Sequence, residues 1–360
     1  MASPFASLRQ IGQSIWLDNL SRGMLQSGEL RRLVEAGEAT GITTNPAIFK
    51  NAMSTGAAYQ SELATLRASQ PDPERRYEQM AIADVQNACD AMRPVFDATG
   101  GDDGYVSLEV SPLLAYDAEA TLAAARRLRA AVARDNVLIK IPGTVEGAEA
   151  FRRCIAEGIS VNVTLLFSIG QMDRIFDAYI SGLEARKAAG GDVSKVKAVA
   201  SFFMSRIDSL LDKRLDAIGT AEAAPLKGRS AVSIGKIAYQ RYLSVFNGPR
   251  FAALRAAGAR PQYLLWASTS TKNPAYNDLL YVEPLIGPQT INTVPDITLA
   301  AFRDHGKAAL TIGDGVPQAE AALAALERLG IDLEAAGTQL QTEGVKLFEE
   351  AYAALLAAVS

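Results

Sequence analysis

The chain has 360 residues, 49% apolar and 21% charged, which gives ample material for a buried core in one large domain or two small ones. A formal charge of −4 argues against the basic face that nucleic-acid binding requires and leaves room only for a local cationic pocket for a small anion. One histidine, His305, and two cysteines outside any C-x-x-C pair, Cys89 and Cys154, argue against histidine relays, His-rich zinc sites, thiolate metal sites and a disulfide framework.

No apolar run approaches the roughly 20 residues of a membrane span, and the first ten residues lack the apolar core of a signal peptide. The expectation is a cytoplasmic protein with small-molecule substrates and neither a nucleic-acid nor a membrane partner; a homo-oligomer stays open.

In chain order, Ser14 to Asp18 is a short apolar run ending in a carboxylate and reads as a first strand, followed by a polar loop from Asn19 to Gly23. Glu29 to Glu38 has helical spacing, and Gly41 to Pro46 is a β-rich run closed by an Asn-Pro turn signal. Helices are expected over 56–68 and 74–97, the second introduced by Pro71-Asp-Pro73. Tyr105 to Val110 alternates and ends at Ser111-Pro112. An Ala/Leu/Arg helix over 118–133 leads to the apolar run Val137 to Ile141, stopped by Pro142-Gly143, with a helix over 147–157 behind it. Further strands are expected over 160–166, 196–201, 263–268 and 289–294, with helices over 167–188, 204–218 and 232–246 between them and a crossover broken by Pro284. Three helical stretches finish the chain, over 297–304, over 317–329 and around Leu340 to Leu355. His305, in an Asp-His-Gly setting, reads as a helix-end surface residue.

About eight strands alternating with helices, with no long linker or composition break, predict a (β/α)8 TIM barrel formed as a single domain over 1–360, with extra C-terminal helices. An open doubly wound sheet is the rival, but the Gly-rich first turn that usually marks it is absent after Asp18.

Within this frame Lys140 stands out, a cation in the middle of an apolar strand. Alternation sends Val137, Ile139 and Ile141 to one side and Leu138 and Lys140 to the other. An amine held away from water is disfavoured in its charged form and becomes a nucleophile, suited to forming a Schiff base with a ketone or aldehyde. The bland reading is an edge-strand lysine whose amine reaches solvent. Parity supports the first. Ser160, Asn162 and Thr164 share one face, Ser107 and Glu109 another, and parallel strands covered by helices should otherwise be apolar throughout. Asp18, Asn45, Glu109, Lys140, Thr164, Ser201 and Ser268 all fall near the C-terminal ends of their strands, the rim on which barrel enzymes carry their sites. Singly, Asp18, Asn45 and Ser201 could each be a turn or helix cap. Glu109 is the hardest to explain that way, because an interior carboxylate needs a partner or a proton and Lys140 is next door.

The chain resembles the transaldolases over essentially its whole length, and the resemblance rests on Gly41-Ile-Thr-Thr-Asn-Pro-Ala-Ile-Phe49, Val137-Leu-Ile-Lys-Ile-Pro-Gly-Thr-Val-Glu-Gly147, Val161-Asn-Val-Thr-Leu-Leu-Phe-Ser168, Ala200 to Asp208, and Trp266-Ala-Ser-Thr-Ser-Thr-Lys-Asn-Pro274. The resemblance implies a class I barrel enzyme of the pentose phosphate pathway that needs no metal or other cofactor. It would move a dihydroxyacetone unit between sugar phosphates: sedoheptulose 7-phosphate and glyceraldehyde 3-phosphate exchanging with erythrose 4-phosphate and fructose 6-phosphate.

By the same resemblance Lys140 would be the Schiff-base lysine and Asp18 the acid/base. Glu109 and Thr164 would order a catalytic water. Asn45, Asn162 and Ser201 would hold the dihydroxyacetone hydroxyls, Arg206 the phosphate with Lys272 as a weaker point charge, and Thr44 and Ser268 would also bind substrate. Two departures from the shorter branch of the family touch the phosphate end. Ser270 stands where that branch has an arginine, with Lys272 two residues on as a point charge, and the Ser-Pro-Phe-x-Gly-Arg pattern reads Ser201-Phe-Phe-Met-Ser-Arg206. The alternatives are an aldolase that releases dihydroxyacetone, against which Glu109 in place of a tyrosine counts by family analogy, and a catalytically silent sugar-phosphate-binding barrel.

Overall fold

The computed structural model describes residues 3–360. Eight parallel strands close into a barrel in sequence order: β1 (Gln13–Leu17), β2 (Gly41–Ile42), β3 (Val106–Glu109), β4 (Val137–Pro142), β5 (Val161–Leu166), β6 (Ala198–Phe203), β7 (Tyr263–Ala267) and β8 (Thr290–Val294), with β8 returning to pair with β1. Fifteen helices surround it among the described residues. The first six are α1 (Pro4–Ile11), α2 (Arg22–Gln26), α3 (Glu29–Glu35), α4 (Pro46–Thr55), α5 (Ala57–Ser69) and α6 (Pro73–Ala98). Then come α7 (Ala118–Val132), α8 (Val145–Glu157), α9 (Ile169–Ala188), α10 (Ser205–Ile218), α11 (Ser230–Phe246), α12 (Pro249–Ala256), α13 (Asp296–His305), α14 (Val316–Arg328) and α15 (Leu333–Val359). The expected barrel is thus present.

Four helices were not expected from the sequence: α1, α2, α4 and α12. For α4, the Asn-Pro pair that looks like a turn is a helix start. Asn45 Oδ1 accepts from Ile48 N at 3.0 Å, and Pro46 takes the first helical position, where its missing N–H costs nothing. The β-rich run before it gives only a two-residue strand. His305 does end α13 at the surface, between Asp278 and Asp304.

Register places the polar residues inside. Glu109 lies opposite Lys140, and Lys140 opposite Asn162, on adjacent strands. The pairing of β5 with β6 is irregular after Val163, where Leu165 takes a positive φ of 61°. Trp16 and Trp266 are fully buried.

The last helix positions the site most unexpectedly. With 27 residues, α15 is about 40 Å long and crosses the C-terminal mouth of the barrel. At one end Glu334 accepts from Ser168 Oγ at 2.6 Å and Gly170 N at 2.9 Å, at the start of α9. In the middle, Gln341 Nε2 donates to Gly143 O and Leu165 O, beyond β4 and at the end of β5. Further along, Tyr352 OH donates to Glu74 on α6 at 2.8 Å. Gly337 and Gly344, two turns apart, permit this approach: a Cβ on the first would meet Ser168 Cβ at 2.6 Å, and on the second Leu165 Cδ2 at 2.9 Å.

Candidate active site

The C-terminal ends of the strands and the underside of α15 enclose a pocket of about 220 Å³, suited to a small polar molecule. A larger groove of about 1350 Å³ runs along the flank between α3 and α6, but it gathers none of the rim residues. The smaller pocket is where the chemistry is.

Lys140 lines the pocket and is only 4% exposed. Its Nζ donates to Thr44 O at 2.9 Å and to Glu109 Oε2 at 3.2 Å, and lies 5.6 Å from the centre of the Phe348 ring on α15. An ammonium has three donor hydrogens, so one remains. Burial pushes Glu109 up to about 7, against the opposing pull of Lys140. Glu109 Oε1 and Thr164 Oγ1 are both buried without a protein partner.

Asp18 Oδ1 accepts from Thr43 Oγ1 at 2.7 Å, and Thr43 in turn shares a 2.6 Å bond with Thr293 Oγ1. Burial raises the Asp18 carboxyl above its ordinary value, while Lys140 and the Thr43 hydroxyl pull it back. A carboxylate of increased basicity beside a cation suits general acid/base work.

Across the pocket Arg206 Nη1 is buried without a partner, with its guanidinium carbon 5.3 Å from the Phe203 ring centre. Desolvation lowers its pKa, with Glu343 offsetting part of this. Lys272 is exposed and donates to Ser270 Oγ at 2.6 Å. Ser268 holds a positive φ of 54°, and its Oγ bonds Ser205 Oγ at 2.8 Å. A non-glycine residue held in the left-handed region on a pocket wall is the kind of strain that functional sites keep. Lys140, Arg206 and Lys272 line the pocket against Asp18, so a chain of net charge −4 carries a locally cationic site.

The expected residues do not all reach the cavity. Asp18, Asn45, Lys140, Thr164, Ser201, Arg206, Ser268 and Lys272 line it; Thr44, Glu109 and Asn162 stand behind that wall. Thr44 acts through its carbonyl, its hydroxyl being spent on Ser107 O at 2.7 Å. Asn162 bridges Ser107 Oγ at 3.0 Å and Ser201 Oγ at 2.7 Å, and so orients the serine that does face the pocket. Sequence reasoning missed Thr43, Phe203, Thr293 and Phe348 as lining residues. For Phe348 the available signal was the Gly337/Gly344 pair on a long amphipathic helix, which marks a face pressed close against something.

The family model for "Transaldolase/Fructose-6-phosphate aldolase" matches residues 15–359. The chain belongs to this family. Among curated relatives, a transaldolase of Thiobacillus denitrificans is 53% identical over 97% of this chain and 98% of its own. A transaldolase of Neisseria gonorrhoeae is 49% identical, covering 98% of both. A protein of Streptomyces coelicolor named transaldolase 1 is 48% identical over all of this chain and 94% of its own. Lys140 lines the pocket with Asp18 and bonds Glu109 behind its wall. Among the described residues no group of three or more His, Cys, Asp or Glu side chains is placed to hold a metal ion, and no helix is long and apolar enough to cross a membrane.

Proposed function

We propose that this enzyme is a transaldolase working through a Schiff base on Lys140. The observation that carries the reading is the amine itself, buried at the pocket wall with Glu109 on one side and the Thr44 carbonyl on the other. Lys140 passes a proton to Glu109 and attacks the C2 ketone of a ketose phosphate. Loss of the C2 hydroxyl as water, with a proton returned from Glu109 through a water held by Thr164, gives the iminium. Asp18 takes the C4 hydroxyl proton as the C3–C4 bond breaks, and the iminium accepts the electron pair as an enamine. Asn45 and Ser201 hold the three-carbon unit, and Arg206 with Ser268 and Lys272 holds the phosphate. The aldehyde leaves, a second enters, and the steps run in reverse, placing the enzyme among the pentose phosphate interconversions. Two free, buried cysteines fit a reducing cytoplasm.

Borohydride reduction in the presence of fructose 6-phosphate tests this. One adduct is expected, mapping to Lys140, and Lys140→Ala should keep the fold while abolishing it. An adduct on Lys50, Lys236 or Lys272 instead would overturn the assignment. Release of free dihydroxyacetone in place of transfer to added erythrose 4-phosphate would make the enzyme a lyase.

A further inference from the structure

The cations of the pocket stand on two different supports. Arg206 belongs to α10, whereas Ser268, Thr269, Ser270 and Lys272 reach the pocket from the arm of chain that leaves β7. That arm is exposed from Lys272 to Ala275. Lys272 Nζ donates to Ser270 Oγ at 2.6 Å, which leaves two ammonium hydrogens and the serine hydroxyl hydrogen unspent. A hydroxyl that accepts from an ammonium is polarised towards donation, so the pair presents donors suited to an anion. Its weakness is placement, because an ammonium on a long flexible stem, carried by an irregular segment, is not held anywhere by itself.

Helix α10 supplies the placement. At the base of the arm, Ser205 N donates to Ser268 O at 3.0 Å and the two serine hydroxyls bond at 2.8 Å. At its far end the buried Tyr281 donates to Asp208 Oδ2 at 2.9 Å. Between these points Tyr276 OH donates to Asp212 Oδ2 at 2.7 Å. Among the described residues this is the only hydrogen bond that joins residues 270–277 to another element; those of Thr271 Oγ1 to Asn277 O and of Ala275 N to Asn273 Oδ1 stay within the arm. The next tie, Asp278 to His305, is an exposed pair of the kind that contributes little. The phenol has a socket. Gly228 N donates to Asp212 Oδ1 at 3.0 Å, so both carboxylate oxygens are engaged. Gly228 holds a φ of +67°, and a Cβ there would stand 2.7 Å from the Tyr276 ring. A phenol donating to a carboxylate is charge-assisted, about twice as strong as a neutral bond.

Resting on the phosphate reading given above, we propose that Tyr276, latched to Asp212, is a positioning residue that holds the Ser270–Lys272 pair in place as a second grip on the substrate's phosphate monoester. Arg206, Asp208 and Asp212 all belong to α10, so one helix sets both grips: Arg206 directly, and the serine and lysine through the phenol. Opening the latch frees the arm between Ser268 and Tyr281 while leaving both of its ends attached to α10.

First-turnover cleavage tests this, run without acceptor because the acceptor aldehyde carries a phosphate of its own. Release of glyceraldehyde 3-phosphate from fructose 6-phosphate is compared with release of glyceraldehyde from fructose. Tyr276→Phe and Asp212→Ala each open the latch. Both should raise the half-saturating concentration of fructose 6-phosphate about 3- to 10-fold while the maximal rate and the cleavage of fructose stay as in wild type. In a chain already carrying Ser270→Ala and Lys272→Ala, opening the latch should add nothing, since the pair it positions is gone. A wild-type half-saturating concentration in both latch variants, an equal loss on fructose, or an undiminished effect in the Ser270→Ala/Lys272→Ala background overturns the proposal. None of these readouts needs a covalent adduct, so failure of the Schiff-base reading shows separately, as wild-type enzyme that cleaves the donor without leaving a reducible adduct on Lys140.

Discussion

Arg206→Ala tests the electrostatic half of the site. The guanidinium is largely desolvated, rests against Phe203, has no carboxylate within ion-pair distance among the described residues, and leaves Nη1 without a partner. It is therefore a partly desolvated cation with no carboxylate counterion among the described residues. At 4 Å and an effective dielectric constant of about 20 the attraction to one phosphate charge is about 4 kcal/mol before any cost of desolvating the phosphate. Measured charge-assisted bonds retain about 1.5–3 kcal/mol. The loss in kcat/KM for a phosphorylated donor should thus be about 10- to 150-fold. Lys272, exposed and flexible, should give only about 0.2–1 kcal/mol when truncated. The assay is the donor half-reaction alone, because the acceptor aldehyde also carries phosphate, run with fructose 6-phosphate and with fructose and followed by adduct formation. Fructose should be nearly indifferent to the substitution, and Arg206→Lys should recover part of the loss as a point charge without the planar fork. Equal losses on both donors would refute the reasoning and assign Arg206 to holding α10 against α15.

Three further outcomes follow from the same geometry. Asp18→Asn should still form the Schiff base but stall at C3–C4 cleavage, by about 10²- to 10⁴-fold, so that reduction traps the intact sugar rather than the three-carbon fragment; fragment adduct at wild-type rate would leave Asp18 only its bond to Thr43. Burial raises Glu109 from 4.5 to about 7, so the folded state binds that proton more tightly than the unfolded chain, and the associated stability is complete below 4.5 and lost as pH rises through 7. Relative to Glu109→Gln, wild type should lose roughly 3 kcal/mol across that window in denaturant titrations, and parallel profiles would contradict this. Gly41→Ala should cost about 1–3 kcal/mol, because its Cβ would stand 2.5 Å from the Trp16 indole, which its 2.8 Å bond to Asp103 Oδ1 prevents from moving aside; an unchanged melting temperature would mean that the indole repacks freely.

The barrel was legible because its signals are local. Alternation, Gly and Pro punctuation and strand-helix order are all carried within windows of ten or so residues, and the single-parity run of Ser107, Glu109, Lys140, Asn162 and Thr164 fixed which faces point inward. What sequence could not give was depth. Thr44 and Asn162 sit on the right face but one layer below the pocket, and only the closing of the barrel decides which inward residues reach the cavity and which support the ones that do. Phe348 was hidden for a different reason. It lies over 200 residues from Lys140, and an apolar helix face looks the same whether it covers a flank or a mouth. Arg206 was readable as a phosphate ligand by resemblance alone; its unpartnered Nη1, the physical reason to believe it, is a property of what is not nearby.

The charge inside the barrel also limits what the reaction has to exchange with solvent. With the proton on the amine, the positive charge at Lys140 faces the Glu109 carboxylate 3.2 Å away. An ammonium offers three hydrogens, of which Thr44 O and Glu109 take two. A ketiminium keeps the positive charge at the same nitrogen but has a single N–H, so one of the two acceptors must be released. The carbonyl is the one that can be given up, since a neutral acceptor loses less than a buried carboxylate facing a cation. Glu109 therefore meets the same charge before and after Schiff-base formation, and its proton moves out to the C2 oxygen and back without reaching bulk water. Proton balance therefore closes inside the site.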